Sequence, residues 1–347
     1  MQIDFHFYTI YALARAAGFK PEDAHIIAYS SQHTDDAKYE HALDFENGGR
    51  FQQVLTAHKF LDLDALTKPT CYRIWIPFHF LPGNLGKDFY ERMLVRANSV
   101  IAQRMIEDFL SADLKPYSLH RLGIILHVYA DTWSHQNFMG IMHDMNDVKS
   151  MKVKGTEKGF LKSLLNKLKE EFLEYHAPKL GHAQAGTIPD EPYREWEYKD
   201  YKGYHFQISN QERALDAAQN CYLVLSRFLK RFPQFLSSKT IPWQEIADKI
   251  AELFSHEGEL EDRVKNWQEA ISKGLIGFEP KDRDVNLFYD DREWFKAAVT
   301  VKKDEKEHYI RNKGFERSNW KFFHDAAAFH RFHILHELLP EYGIICG

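Results

Sequence analysis

Apolar positions along the chain recur mainly with the helical period. Ile10-Tyr11-Ala12-Leu13-Ala14-Arg15-Ala16-Ala17 is rich in good helix formers, and Gly18 stops it. Pro21-Glu22-Asp23 opens a second helix that runs to about Tyr29, with proline early and acids in the first turn. Asp88 to about Phe109 is amphipathic, with apolar Phe89, Met93, Leu94, Val100 and Ile101. Ser118 to about Phe138 is a further helix. The same pattern places others at about 158–175, 208–231, 243–254, 258–272 and 318–338.

Strand signal is weak. Cys71 to Phe80 is aromatic and β-branched, but Pro77 makes it an edge strand or an extended loop. The segment 177–206 carries Pro178, Gly181, Gly186, Pro189, Pro192 and Gly203, which predicts a long ordered loop. Gly277–Asp291 is also loop-like and charged. No internal repeat or linker composition marks a boundary. The expectation is one mainly all-α, multi-helix domain over residues 1–347, with long ordered loops and at most a small β element.

Composition narrows the class. Hydrophobic residues are 44% and charged residues 27%, which excludes a disordered chain. Lys+Arg 45 against Asp+Glu 50 gives −5, so there is no strong nucleic-acid signal. Cys71, Cys221 and Cys346 are widely spaced, which speaks against a disulfide framework or thiolate zinc site and fits a reducing compartment. No apolar run reaches the roughly 18 residues of a transmembrane segment. The first residues carry Asp4 and no basic stretch, unlike a secretory signal. These features together predict a cytoplasmic protein.

Histidine changes the picture. There are 19, ten of them before residue 144 and four in the last 24 residues. With so few cysteines, metal ligation falls to imidazole and carboxylate. The sharpest motif is His127-x3-Asp131-x3-His135. On a helix these positions drift by only about 40° per step, so all three would share one stripe. Such a stripe can ligate one metal or bridge two. The bland alternative is a buried polar stripe in which Asp131 bonds its histidines, and burying the three groups unpaired would cost several kcal/mol.

Further candidates are more modest. His6 follows Asp4-Phe5 at the start of the first helix, and its aromatic neighbours are equally those of a core face. Asp35 and Asp36 lie in Ser31-Gln32-His33-Thr34-Asp35-Asp36 and supply a ligand or only cap a solvated turn. His79 stands alone in an apolar stretch between Pro77 and Pro82. His182 lies in the long loop, where His182 with Asp190 competes with His143 and Asp147 to complete a site; spacing does not decide between the pairs, and His182 is the one preferred. The C-terminal set Trp320, His324, Asp325, His330, His333 and His336 shares no tight stripe and reads as a packed helix. Nucleophilic serine, phosphate-loop and dinucleotide motifs are absent.

The order of these residues resembles the zinc-dependent phospholipase C family and the related fungal-type single-strand nucleases. Here too an early His, an Asp, a loop His and a helix carrying His and Asp follow one another. The start of the chain and the stretches around His135 and His182 are also similar to an uncharacterised bacterial domain family. The resemblance implies an all-helical domain holding zinc ions that hydrolyse phosphate esters. It implies His6, Asp35 or Asp36, His79, His127, Asp131, His135 and His182 as metal ligands, with Asp131 bridging. Two departures stand out. His135 follows Asp131 directly along the helix, where that family has a longer gap containing a Pro. Its secreted members bind metal through a mature N-terminal Trp, where this chain has Met1. Residues past 206 have no counterpart.

The function expected is therefore metal-assisted hydrolysis of a small phosphoester or phospholipid-like substrate. One to three Zn2+, or another divalent metal, would be bound. Asp131 would bridge, and Asp35 or Asp36 would act as general base. Two alternatives stay open. One is an HD-type metal phosphohydrolase using His127, His143-Asp144 and a later Asp. The other is a non-catalytic metal-binding or interaction protein.

Overall fold

The computed structural model describes residues 1–57, 67–155, 179–303 and 307–346. Helix dominates, with small antiparallel sheets at the periphery. The main helices are α1 (Ile10–Ala17), α2 (Pro21–Asp36), α3 (Val100–Ser111), α4 (Ser118–Ser134), α5 (Asn210–Arg231), α6 (Trp243–Phe254), α7 (Leu260–Ser272) and α8 (Asn319–Phe332). Every residue of α4 is buried, and so is every residue from Asp4 to Ala17. A helix apolar all round must be wrapped on every side. α4 accordingly packs against α2, α3, α5 and α8. The buried apolar residues, from Phe5 to Cys346, join in one core.

The crossing of α2 on α4 sets the geometry of everything below. It is closest at Gly123, where an added Cβ would lie 2.2 Å from the Ile27 carbonyl oxygen and 2.6 Å from Ser30 Cβ. Only glycine lets the two backbones approach this far. The end of α2 then lies beside the last turns of α4.

Several elements differ from the sequence expectation. The second helix does not fade near Tyr29 but continues through polar residues to Asp36. The segment expected from Asp88 to Phe109 is two helices, Phe89–Met93 and α3, broken where Asn98 takes a φ of 52° and Ser99 caps the next turn. Cys71–Phe80 is neither strand nor extended loop. It winds as a wide π turn, Cys71–Trp75, followed by a short helix, Ile76–Phe78, in which Pro77 occupies an early position where its missing N–H is harmless. α4 stops at Ser134 rather than Phe138, with His135 as its cap. The helix expected at 158–175 lies outside the described residues.

The long loop is more structured than its prolines and glycines suggest. Among the described residues, it contains two 3-10 turns, Ala183–Ala185 and Ile188–Asp190, and then a strand. The strands are β1 (Ala42–Asp44), β2 (Arg50–Gln52), β3 (Lys149–Val153), β4 (Glu195–Lys199), β5 (His205–Ser209), β6 (Val299–Lys303) and β7 (Glu307–Arg311). They pair as β1-β2, β3-β4-β5 and β6-β7, all antiparallel. In β4, Trp196 and Tyr198 alternate inward, and Tyr198 stacks on Phe138 just beyond α4. The middle sheet thereby clamps the loop against the end of α4.

Candidate metal centre

Eight side chains converge at the C-terminal end of α4. They form three groups of possible ligands: His6, His127 and Asp131; Asp35, His79 and His127; His135, His182 and Asp190. Within each group one atom per residue lies within 4.8 Å of the others. His127 belongs to two groups. Asp131 reaches the third as well, since its Oδ2 lies 3.8 Å from His135 Nδ1.

Asp131 is the hub. Its Oδ1 lies 3.1 Å from His6 Nε2, and its Oδ2 lies 3.3 Å from His127 Nε2 and 3.5 Å from His79 Nδ1. Helical spacing brings His127 and Asp131 together, as the motif predicts. His135 has left the helix, but its backbone N–H still donates to the Asp131 carbonyl at 3.0 Å, and this holds it nearby. His6 arrives from the opposite side on a π turn, Asp4–Thr9, that runs into α1. Its ring stacks on His127 with centroids 3.9 Å apart.

The ring orientations are fixed by backbone carbonyls. His79 Nε2–H donates to the Thr56 carbonyl at 2.8 Å. His135 Nδ1–H donates to the His79 carbonyl at 2.7 Å, and His182 Nδ1–H to the Gly186 carbonyl at 3.1 Å. A carbonyl only accepts, so each of these nitrogens carries a proton. The other nitrogen of a neutral ring is then a bare lone pair. His79 Nδ1 lies 3.2 Å from His127 Nε2 and faces Asp131 Oδ2 at 3.5 Å and Asp35 Oδ1 at 3.7 Å. His135 Nε2 and His182 Nε2 face Asp190 at 3.6 and 3.5 Å. Lone pairs aimed at carboxylate oxygens in a buried site repel unless a cation lies between them. The donor set therefore fits divalent metal, with the outer nitrogens anchored as metal-ligating histidines require.

Secondary contacts hold the third group. Asn146 Nδ2 donates to the carbonyls of Met139, Ile141 and Lys179, which seats the chain leading to His182. Gly181, at φ 52°, lies against the Phe80 ring, 2.2 Å from where a Cβ would stand, and Phe80 in turn stacks on His135 at 4.5 Å. Asn210, at the start of α5, donates to the carbonyls of Ile188 and Glu191 and so brackets Asp190.

Electrostatics follow from three acids sharing a buried space. The Met1 ammonium lies 2.8 Å from Asp131 Oδ1 and 3.1 Å from Asp190 Oδ1. Burial opposes its charge, but Asp131, Asp190 and Asp35 prevail and hold it up to about 11. Burial would raise Asp131 as well; His135, the ammonium, His127 and His6 outweigh it and hold the carboxyl well below the usual range. Asp190 is likewise held low against burial by the ammonium, His182 and His135. Burial drives His6 far down and His182 down to about 4. Burial pushes Asp35 up against the pull of His127 and His79.

A family model matches residues 1–338. The chain belongs to DUF6765, a family of unknown function. No curated protein and no solved structure matches it.

In this DUF6765 chain, His6, Asp35, His79, His127, Asp131, His135 and His182 all lie in the cluster that their sequence positions suggested. Asp36 does not. One residue further around α2, its Oδ2 accepts from Tyr289 Oη at 2.8 Å and Gln32 Nε2 at 3.0 Å, and its Oδ1 lies 3.3 Å from Lys38 Nζ. Between the two pairs left open by spacing, the structure brings in His182 with Asp190. His143 stacks on Tyr90, and Asp147 pairs with Lys179. The HD-type alternative is not assembled either: Asp144 pairs with Lys179, and Asp325 with Lys321. The C-terminal histidines are packed, with His324 Nδ1 accepting from Val54 N–H and His330 Nε2 donating to the Pro77 carbonyl. The anchoring carbonyls of Thr56 and Gly186 left no trace in the sequence. The Met1 amino group had none in this chain's own pattern.

Proposed function

We propose that this protein is a metal-dependent phosphoester hydrolase with a multinuclear site, zinc being the first ion to test. The observation that carries the reading is the set of three carbonyl-anchored imidazoles whose second nitrogens face carboxylates. His6, His127 and Asp131 would hold one ion; Asp35, His79 and His127 a second; and His135, His182 and Asp190 a third. Bound there, divalent ions supply a water of lowered pKa and stabilise charge on phosphoryl oxygens. The residues do the rest. Asp131 ties the groups together. Asp35, with about a third of its side chain exposed, is the carboxylate that faces the open side and is placed to hold a proton there. The open side is a cleft of about 600 Å³ lined by Met1, Gln32, Asp35, Lys38 and Tyr289, large enough for a small ester. Lys38 at its rim supplies positive charge for a phosphate.

The test is elemental mass spectrometry of the purified protein beside hydrolysis of p-nitrophenyl phosphate and bis-p-nitrophenyl phosphate. Two or more equivalents of zinc, with turnover that chelation abolishes and zinc restores, is the expected result. Asp131→Ala loses both, while its circular dichroism shows the helices retained. A wild-type protein that takes up no divalent metal on reconstitution refutes the reading. A loaded protein without turnover of any phosphoester leaves a metal-binding protein and refutes the hydrolase.

A further inference from the structure

Beside the metal cleft lies a second cavity, of about 340 Å³. The two hollows share Asp36 and Asp291 as common lining. The cavity's walls are aromatic. Trp320 is buried, and Phe295 packs on it at 5.6 Å between centroids, with Tyr309 also on the wall. At its wall stands His324, only 2% exposed. Its Nδ1 accepts the Val54 N–H at 3.1 Å, so in the neutral ring the proton sits on Nε2. That Nε2–H is buried and has no hydrogen-bond partner among the described residues. A buried donor left unpaired costs about 1–3 kcal/mol, so its retention calls for an acceptor that the fold does not provide.

The charges around the cavity specify that acceptor further. Asp36 and Asp291 line it, and Arg292 is the only Lys or Arg on its wall among the described residues. Asp36 is already engaged by Tyr289, Gln32 and Lys38, so it forms a fixed acidic partition between the hollows. An anion gains nothing from entering past Asp36, Asp291 and Glu307. A flat uncharged ring gains twice, by stacking on the aromatic walls and by accepting from His324.

We infer that this cavity is a ring-binding subsite. It takes a planar, uncharged heteroaromatic group bearing a hydrogen-bond acceptor, packed against the wall that Phe295, Trp320 and Tyr309 form, with its acceptor on His324 Nε2–H. That the same molecule also carries a phosphoester into the neighbouring cleft rests on the function proposed above; the ring site itself does not. The substrate class that follows is an aryl or heteroaryl phosphoester rather than a purely aliphatic one.

The test is isothermal titration of the full chain with adenosine and uridine as ring probes and with ribose as the ringless control. It uses wild type, His324→Asn, Phe295→Ala and Asp131→Ala. Asparagine keeps an acceptor for Val54 N–H and removes the Nε2 donor. Saturable binding of at least one nucleoside, none of ribose, and affinity reduced about tenfold in His324→Asn and in Phe295→Ala is expected, as one neutral hydrogen bond or one stacking wall is worth about 1.4 kcal/mol. Binding retained in Asp131→Ala supports the ring site even where the metal reading fails. Absence of nucleoside binding to wild type, equal binding of ribose, or binding indifferent to both cavity variants overturns the inference. Phe295 is half-buried, so its variant tests the site even if His324→Asn does not fold.

Discussion

On α2, Asp35 and Asp36 leave the helix roughly 100° apart, so one packed neighbour cannot receive both. Asp35 Oδ1 reaches His79 at 3.7 Å and His127 at 3.8 Å, whereas Asp36 is tied to Tyr289 and Gln32. The two positions therefore predict opposite outcomes for the same isosteric change. Asp35→Asn removes a charged ligand and is expected to lower metal content by about one equivalent and activity by on the order of 100-fold. Asp36→Asn is expected to keep full metal content. Parallel elemental analysis of the two variants checks this, and equal loss in both would show that the site is organised differently. Residue type alone made both candidates. What separated them was rotation about the helix relative to α4, which depends on how α2 and α4 cross.

That crossing is a property of elements. Gly123 lies so near the Ile27 carbonyl that an alanine methyl has no room. Gly123→Ala is expected to destabilise the fold by at least about 1–3 kcal/mol, the usual range for overpacking. It is also expected to weaken metal binding, because Asp35 rides on α2 and His127 and Asp131 on α4. Thermal unfolding with and without zinc measures both effects; an unchanged midpoint would show that the helices slide freely. The helical periods of α1, α4, α5, α6 and α8 were readable from the chain because each buries a continuous apolar face. The segment around His79 was not. Its β-branched and aromatic residues mimic a strand, and tertiary packing winds them into a π turn instead. Likewise the turn-forming residues of 177–206 gave no hint that Trp196 and Tyr198 would pair in a sheet.

At the scale of the whole molecule, a set of histidines outside the cluster is buried in the core. Burial drives His25, His120, His324 and His330 down to about 3 from an ordinary 6.5. Each is neutral when folded and takes a proton when unfolded below about pH 6.5. Their contribution is complete above that pH and is lost as the pH falls towards 3. Each such group removes up to about 1.4 kcal/mol per pH unit over this window. Urea midpoints measured from pH 7.5 to 5 should fall steadily, and a flat profile would contradict the burial of these rings. The sequence showed the number of histidines and the helical register of His127 and Asp131, though not that His135 caps the helix. Sorting structural from ligating histidines needed the backbone carbonyl each one meets, and such partners carry no side-chain signature.

His79 has a place in the cluster that reaches beyond the ligation proposed for it. Its ring belongs to the group with Asp35 and His127, while its own carbonyl orients His135 in the group with Asp190. One residue thus adds a second link between two positions that Asp131 also joins. An ion that steadies the His79 ring also steadies the carbonyl that aims His135, so occupancy of one position favours the other. Filling should then be cooperative, with a sigmoidal titration, and under chelation the ions of these two groups should depart together rather than in turn.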